Sequence, residues 1–190
     1  MRILLIGGSR VGGTKIGEWI GYELGLTYIH EPFGIWRDTN ENVIRDIKNG
    51  NVIVKTHSGK ELERLKGLGI RWDKTIGLIR ENENDCAISM VWAEENGEWH
   101  KEYGITNEWI SKHQNPIQKV KDRIRVWRES ILNNPEIELQ ITYEGIYNTK
   151  EDIKRVKEYL GITESKWENL LDIKYRYRKD TPIEIKKGLI

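Results

Sequence analysis

Short apolar runs recur along this chain, and between them lie longer stretches in which apolar residues return every three or four positions. The first pattern belongs to buried strands and the second to amphipathic helices. Ile3 to Ile6, Thr27 to His30, Val52 to Thr56, Thr75 to Ile79 and Ile137 to Thr142 read as strands. Gly13 to Leu24, Glu41 to Lys48, Asn84 to Glu94, Glu108 to Leu132, Lys150 to Tyr159 and Glu164 to Leu171 read as helices. Pro116 marks a break or a second start within the long helix, and Gly161 is a C-terminal stop for the helix before it. Strands interleaved with helices predict a single α/β domain over residues 1–190, with a mostly parallel sheet of about five strands.

A parallel sheet binds its ligands beyond the carboxyl ends of its strands. Just past the predicted strands stand Gly7 to Thr14, then His30 and Glu31, then Lys55 and His57, then Arg80, then Tyr143 and Glu144. Each group is able to bind an anion, move a proton or pack on a ring. In "VIVKTHSG" the apolar strand ends in Lys55 and His57, two apart and so on one side of the strand. In "GGSRVGGTK" a glycine-rich turn leads from strand to helix and aims backbone N–H groups at an anion. Gly8 and Gly13 have phosphate-loop spacing, but Thr14 stands where the ATPase lysine belongs and Lys15 follows it.

Composition narrows the classes. The chain has 190 residues, 37% hydrophobic and 32% charged, with no apolar run near the roughly 20 needed to span a bilayer. Lys and Arg total 31 against 30 Asp and Glu, far from the basic footprint of a nucleic-acid binder. A single cysteine, Cys86, rules out a disulfide within the chain and a multi-cysteine zinc site. The expectation is a cytoplasmic protein with neither nucleic-acid nor membrane partners.

The strand-end motifs, taken in order, resemble those of sulfotransferases of the cytosolic type. Arg10-Val11-Gly12-Gly13-Thr14 is similar to their 5′-phosphosulfate loop, with Val11 in place of a serine and Gly13 in place of a threonine. "VIVKTHSG" resembles their strand ending in Lys-Thr-His, whose histidine is the catalytic base. "LIRENENDCAIS" resembles their 3′-phosphate segment, with one extra residue between Arg80 and Ser89. "ITYEGIYNTKEDIKRVKEYLGI" resembles their Tyr-Glu-Asp-Leu segment and the helix after it, with Gly145 in place of the aspartate.

The resemblance implies a P-loop, nucleotide-kinase-like α/β sandwich with helices on both faces. It also implies transfer of a sulfuryl group from 3′-phosphoadenosine 5′-phosphosulfate (PAPS) to a hydroxyl or amine of a small-molecule or glycan acceptor, without a metal. His57 would be the base, with Lys55 and Arg10 holding sulfuryl and bridging oxygens. Glu31 is a second candidate base, or else a loop carboxylate paired with Arg10 or Lys55. The donor would lie on Arg10, Gly12, Gly13, Thr14 and Lys15, with Arg80 and Ser89 on its 3′-phosphate and Tyr143 against adenine. Trp92 and Trp99 would wall the acceptor, and the basic runs Lys174 to Lys179 and Lys186-Lys187 would close on the 3′-phosphate. His30 reads as structural, and His100 and His113 as surface residues. Two other readings use the same residues: a nucleoside or nucleotide kinase, and a non-catalytic nucleotide-binding or protein-interaction module. The missing loop lysine, and the lack of an acidic magnesium ligand after an apolar strand, weigh against the kinase.

Overall fold

All five expected strands form, and they pair in parallel in the order β2-β3-β1-β4-β5. The computed structural model describes residues 1–33, 41–57, 59–97, 105–166 and 169–172. The strands are β1 (Arg2–Gly7), β2 (Thr27–His30), β3 (Val52–Thr56), β4 (Lys74–Ile79) and β5 (Leu139–Thr142). The helices are α1 (Gly13–Leu24), α2 (Glu41–Asn49), α3 (Lys60–Gly67), α4 (Glu83–Asn96), α5 (Asn107–Lys112), α6 (Gln114–Leu132), α7 (Tyr143–Tyr147), α8 (Glu151–Leu160) and α9 (Asn169–Asp172).

Alternation along β1 decides what lies on each face. Ile3 and Leu5 pack with Ile16, Trp19 and Ile20 of α1 and with Ile153 and Val156 of α8. Leu4 and Ile6 face the other way, onto Ile47 of α2, Leu62 and Leu65 of α3 and Ile131 of α6. Both faces of the sheet are therefore buried, as an all-parallel sheet requires. Register does the rest. Leu5 lies beside Lys55, His30 beside Lys55, Ile6 beside Thr56 and Ile79 beside Thr142, so the carboxyl ends form one edge.

Three elements differ from the sequence pattern. The long helix breaks at His113, three residues before Pro116, which sits harmlessly in the first turn of α6. The α3 helix is unforeseen because only Leu62 and Leu65 of its eight residues are buried. The short α7 is also unforeseen: Tyr143, just past β5, opens it because the Thr142 hydroxyl accepts the Gly145 N–H at 2.7 Å and caps a helix there. Of the expected helix from Glu164 to Leu171, α9 covers the end.

Gly77 sets how closely α6 approaches the sheet. A Cβ there would stand 2.8 Å from Ile131 and 3.0 Å from Ile137. Gly77→Ala is expected to overpack this contact and lower unfolding free energy by about 1–3 kcal/mol, read from the urea midpoint.

Candidate functional site

The loop from β1 to α1 is tied down by its carbonyls. Gly7 O faces His57 Nδ1 at 3.2 Å, Arg10 O accepts from Arg80 Nη1 at 3.2 Å, and Gly12 O accepts from Tyr147 Oη at 3.1 Å. The Cys86 thiol adds a weak contact to Ser9 O at 3.5 Å. In a trans peptide the carbonyl and the following N–H point in opposite directions. The N–H groups of Gly8, Arg10, Val11 and Gly13 are therefore turned away from these anchors. Arg10 and Gly12 take left-handed backbone (φ 64° and 77°), and a Cβ at Gly12 would fall 2.6 Å from the Tyr147 ring. Among the described residues no side chain caps α1, and uncapped first-turn amides are of the kind that suit an anion.

Beneath the loop, at the ends of β2 and β3, charged side chains converge on one carboxylate. Glu31 Oε1 receives the Lys55 ammonium, lies 2.8 Å from His57 Nε2 and stands 3.4 Å from His30 Nε2. Lys55 is 4% exposed, and its methylenes approach Gly13, where a Cβ would be 3.3 Å away. Burial alone would raise the Glu31 carboxyl, but the hydrogen bond from His57 and the charge of Lys55 outweigh it. The carboxyl is held well below the usual carboxylate range. Burial pushes the Lys55 ammonium down, opposed by the carboxylate beside it.

The Gly7 carbonyl can only accept, so it holds His57 Nδ1 as the donor and leaves Nε2 as the reactive nitrogen. Nε2 donates to Glu31 when the ring carries both protons. When that proton is gone, Nε2 can accept from Lys55 Nζ, 3.4 Å away. The other face of the ring is stacked on Trp127 of α6, centroids 6.3 Å apart.

A second cluster lies on the β4 side. Arg10 Nε donates to Ser89 Oγ at 2.7 Å, and Arg80, which bonds the Arg10 carbonyl, lies over the Tyr143 ring at 4.4 Å. The extra residue before Ser89 does not turn it away, because Ser89 faces inward from the first half of α4 and is 3% exposed. Arg10 thus reaches toward Ser89 and Arg80. Thr14 and Lys15 occupy the first turn of α1, with Lys15 Nζ 3.0 Å from Glu18.

Other candidates lie elsewhere. Trp92 packs edge-on against Trp109, whose ring stacks on His113 at 4.1 Å. His113 is half-buried and pairs with Glu95 at 2.9 Å. Trp99, His100 and the basic segments Lys174 to Lys179 and Lys186-Lys187 fall outside the described residues.

Two site residues escaped the sequence reading. Glu61 accepts from His57 N at 3.0 Å and from Thr56 Oγ1 at 3.1 Å, and so fixes the end of β3. Its signal was the Ser58-x-x-Glu61 spacing, a helix-start pattern. Trp127 had no signal, because α6 reaches His57 only through packing of distant segments.

No family model and no curated protein matches this chain. Among solved structures, the mouse sulfotransferase SULT7A1 complexed with PAP superposes with a TM-score of 0.56 at 16% identity. The match covers 90% of this chain and 62% of that one, so this chain spans under two thirds of that enzyme's length. What the two share is the fold. Shikimate kinases from Bacteroides thetaiotaomicron and Aquifex aeolicus superpose with TM-scores of 0.47 and 0.46, at 13% and 16% identity. Each match covers 85% of this chain, with 98% and 96% of the respective kinases. The likeness to the mouse enzyme is one of architecture, an α/β fold on a five-stranded parallel sheet. Among the described residues no helix is long and apolar enough to cross a membrane.

The low Glu31 carboxyl has a stability consequence. Its folded value lies below its unfolded value, so the stability it contributes is present above the unfolded value of about 4.3 and is lost as pH falls toward the folded one. Glu31→Gln is expected to cost about 3 kcal/mol at neutral pH, because it leaves the buried Lys55 charge without its counter-ion. Urea titrations across pH should show that difference shrinking below about pH 4.

Proposed function

We propose that this protein is a sulfotransferase that moves a sulfuryl group from PAPS to a hydroxyl or amine acceptor. The observation that carries the reading is the pairing of two cationic clusters across one glycine loop. Lys55 and His57 stand below the loop, and Arg10 with Arg80 stand beside Ser89 on the other side. A donor with phosphosulfate at one end and a 3′-phosphate at the other needs two such anion sites, and ATP needs only the first. The mouse sulfotransferase of the same fold was solved with PAP, which fits this assignment.

In this reading the 5′-phosphosulfate lies on the loop amides and the first turn of α1, including Thr14 and Lys15. The 3′-phosphate lies on Arg80 and Ser89, and adenine lies near Tyr143. The new bond forms between the acceptor oxygen and sulfur as the sulfur–oxygen bond to the 5′-phosphate breaks. The departing electron pair stays on adenosine 3′,5′-bisphosphate. Lys55 stabilises the charge on the sulfuryl and bridging oxygens. The acceptor proton goes to His57 Nε2, the nitrogen that the Gly7 carbonyl leaves free. Glu31 lies against both Lys55 and His57 Nε2. The donor takes its place on Lys55, Glu31 also leaves Nε2, and Nε2 gives its proton to solvent, so that it is unprotonated when it receives the acceptor's proton.

Calorimetric titration of adenosine 3′,5′-bisphosphate against adenosine 5′-monophosphate tests the donor. The bisphosphate is expected to bind about ten- to a hundredfold tighter, from a charge-assisted bond worth roughly 1.5–3 kcal/mol, and Arg80→Ala should erase most of that preference. Equal affinities in the wild type would overturn the assignment and favour the kinase.

His57→Ala is expected to lower transfer at saturating donor by about 10² to 10⁴, with a weaker loss of donor affinity from the lost Gly7 tether. Activity close to wild type would move the base to Glu31, and Glu31→Gln would then be the damaging change.

A further inference from the structure

One oxygen of Glu31 has three nitrogens around it, and a bound donor would take two of them. Oε1 receives the Lys55 ammonium, lies 2.8 Å from His57 Nε2 and stands 3.4 Å from His30 Nε2. The contact to His30 is long for a hydrogen bond, so this imidazole is a neighbour of the carboxylate and not its main partner. The Glu31 backbone is fixed. Its N–H donates to Lys55 O at 2.8 Å, its φ is 44°, and Pro32 follows it. A residue before proline has few backbone conformations open to it. Any relocation of the carboxylate is therefore a side-chain rotation about an anchored backbone, which limits it to near positions.

His30 is held in place to receive it. Gly17 of α1 lets the Tyr28 ring lie against the helix, because a Cβ there would clash with that ring. From this position the Tyr28 hydroxyl meets His30 Nδ1 at 2.9 Å. Tyr28 and His30 are two apart in β2 and so share one side of the strand, and His30 lies beside Lys55 in the register with β3. Nε2 of the His30 ring faces a carboxylate that is held in its ionised form and can only accept, so Nε2 carries the proton. In the neutral ring Nδ1 is then the acceptor, and the phenol donates to it. Thus α1 seats Tyr28, Tyr28 orients His30, and His30 aims one N–H at Glu31.

We propose, resting on the sulfuryl-transfer reading, that His30 is a positioning residue: it takes over the Glu31 carboxylate when the donor's anionic group replaces that carboxylate on Lys55. The carboxylate turns from Lys55 and His57 onto His30 Nε2–H, and so is not stranded beside donor oxygens of like charge. There it keeps a charge-assisted hydrogen bond. Lys55 is left to the sulfuryl and bridging oxygens, and His57 Nε2 is left to the acceptor. A partner shifts such an equilibrium only by the difference between its hold on the two states. His30 touches Glu31 loosely in one position and closely in the other, so it favours the donor-bound one.

The test is calorimetric titration of PAPS into the wild type and variants. His30→Ala is expected to weaken PAPS about tenfold. His30→Gln, whose amide N–H stands in for Nε2–H, should recover most of that loss, and Tyr28→Phe should show a smaller loss. In a Glu31→Gln background, His30→Ala should change PAPS affinity by less than about twofold, because a neutral side chain does not compete for Lys55. A merely structural histidine would weaken PAPS equally in both backgrounds, and that outcome overturns the proposal. Unchanged affinity in His30→Ala overturns it too, as does no recovery in His30→Gln. The last comparison stays decisive if the Glu31→Gln protein does not fold. ATP is titrated alongside to separate this role from the donor assignment. If ATP binds, PAPS does not, and the same dependence on His30 and Glu31 appears with ATP, the sulfuryl reading fails and the role of His30 stands. If PAPS binds and the His30 variants match the wild type, the role of His30 alone fails. Binding of neither nucleotide overturns both.

Discussion

The site depends on which way the peptide groups of one loop point. Between Gly7 and Gly12 three carbonyls are drawn outward, by His57 just past β3, by Arg80 just past β4 and by Tyr147 of α7. Planarity then turns the intervening N–H groups inward. Each tether comes from a different crossover of the sheet, so the anion cradle exists only when the strands are in register. Two of the three side chains that anchor the loop, His57 and Arg80, are also those assigned to the chemistry in the proposed function. His57 fixes its own tautomer by holding Gly7, and Arg80 reaches its place over Tyr143 by holding Arg10.

A buried cation needs a counter-charge, and Glu31 supplies it. Lys55 would otherwise be an ammonium ion with almost no water around it. Glu31 can take this role because its backbone, at φ 44°, turns sharply after β2 and brings its carboxylate back over β3. In the proposed function an anionic donor would present its oxygens to the same nitrogens. On that reading stability and ligand binding would draw on one set of charges, those of the ion pair that holds the ends of β2 and β3 together.

Much of this was legible in the residues. Strand ends carry chemistry in a parallel sheet, and the local patterns at Gly7 to Thr14, Lys55 to His57 and Arg80 point to the carboxyl edge where the structure gathers these side chains. The pairing of Lys55 with His57 follows from the two-residue period of a strand and is seen as a 3.4 Å approach. The α3 helix was not legible, because a short polar helix with two buried leucines has no face broad enough to announce itself. Gly145 has a physical explanation that only packing provides. The Asp152 carboxylate, which accepts from Thr142 N at 2.7 Å, lies 2.0 Å from where a Cβ at 145 would be. An aspartate at 145 has no room beside it.

The chain by itself determined the alternation of elements, the parallel sheet and the identity of the residues at its carboxyl edge. Those depend on periodicity and on turn chemistry, which act over a few neighbours. Tertiary structure decided the partners. Arg10 turns to Ser89 rather than to Lys55, Glu31 lies between Lys55 and His57, and Trp127 covers His57 from a helix seventy positions away. Each of these contacts joins segments that meet only through the strand order β2-β3-β1-β4-β5 and the close seating of α6 on Gly77. Side-chain charge and shape are written locally, but which charge faces which is set by the packing of the whole sheet.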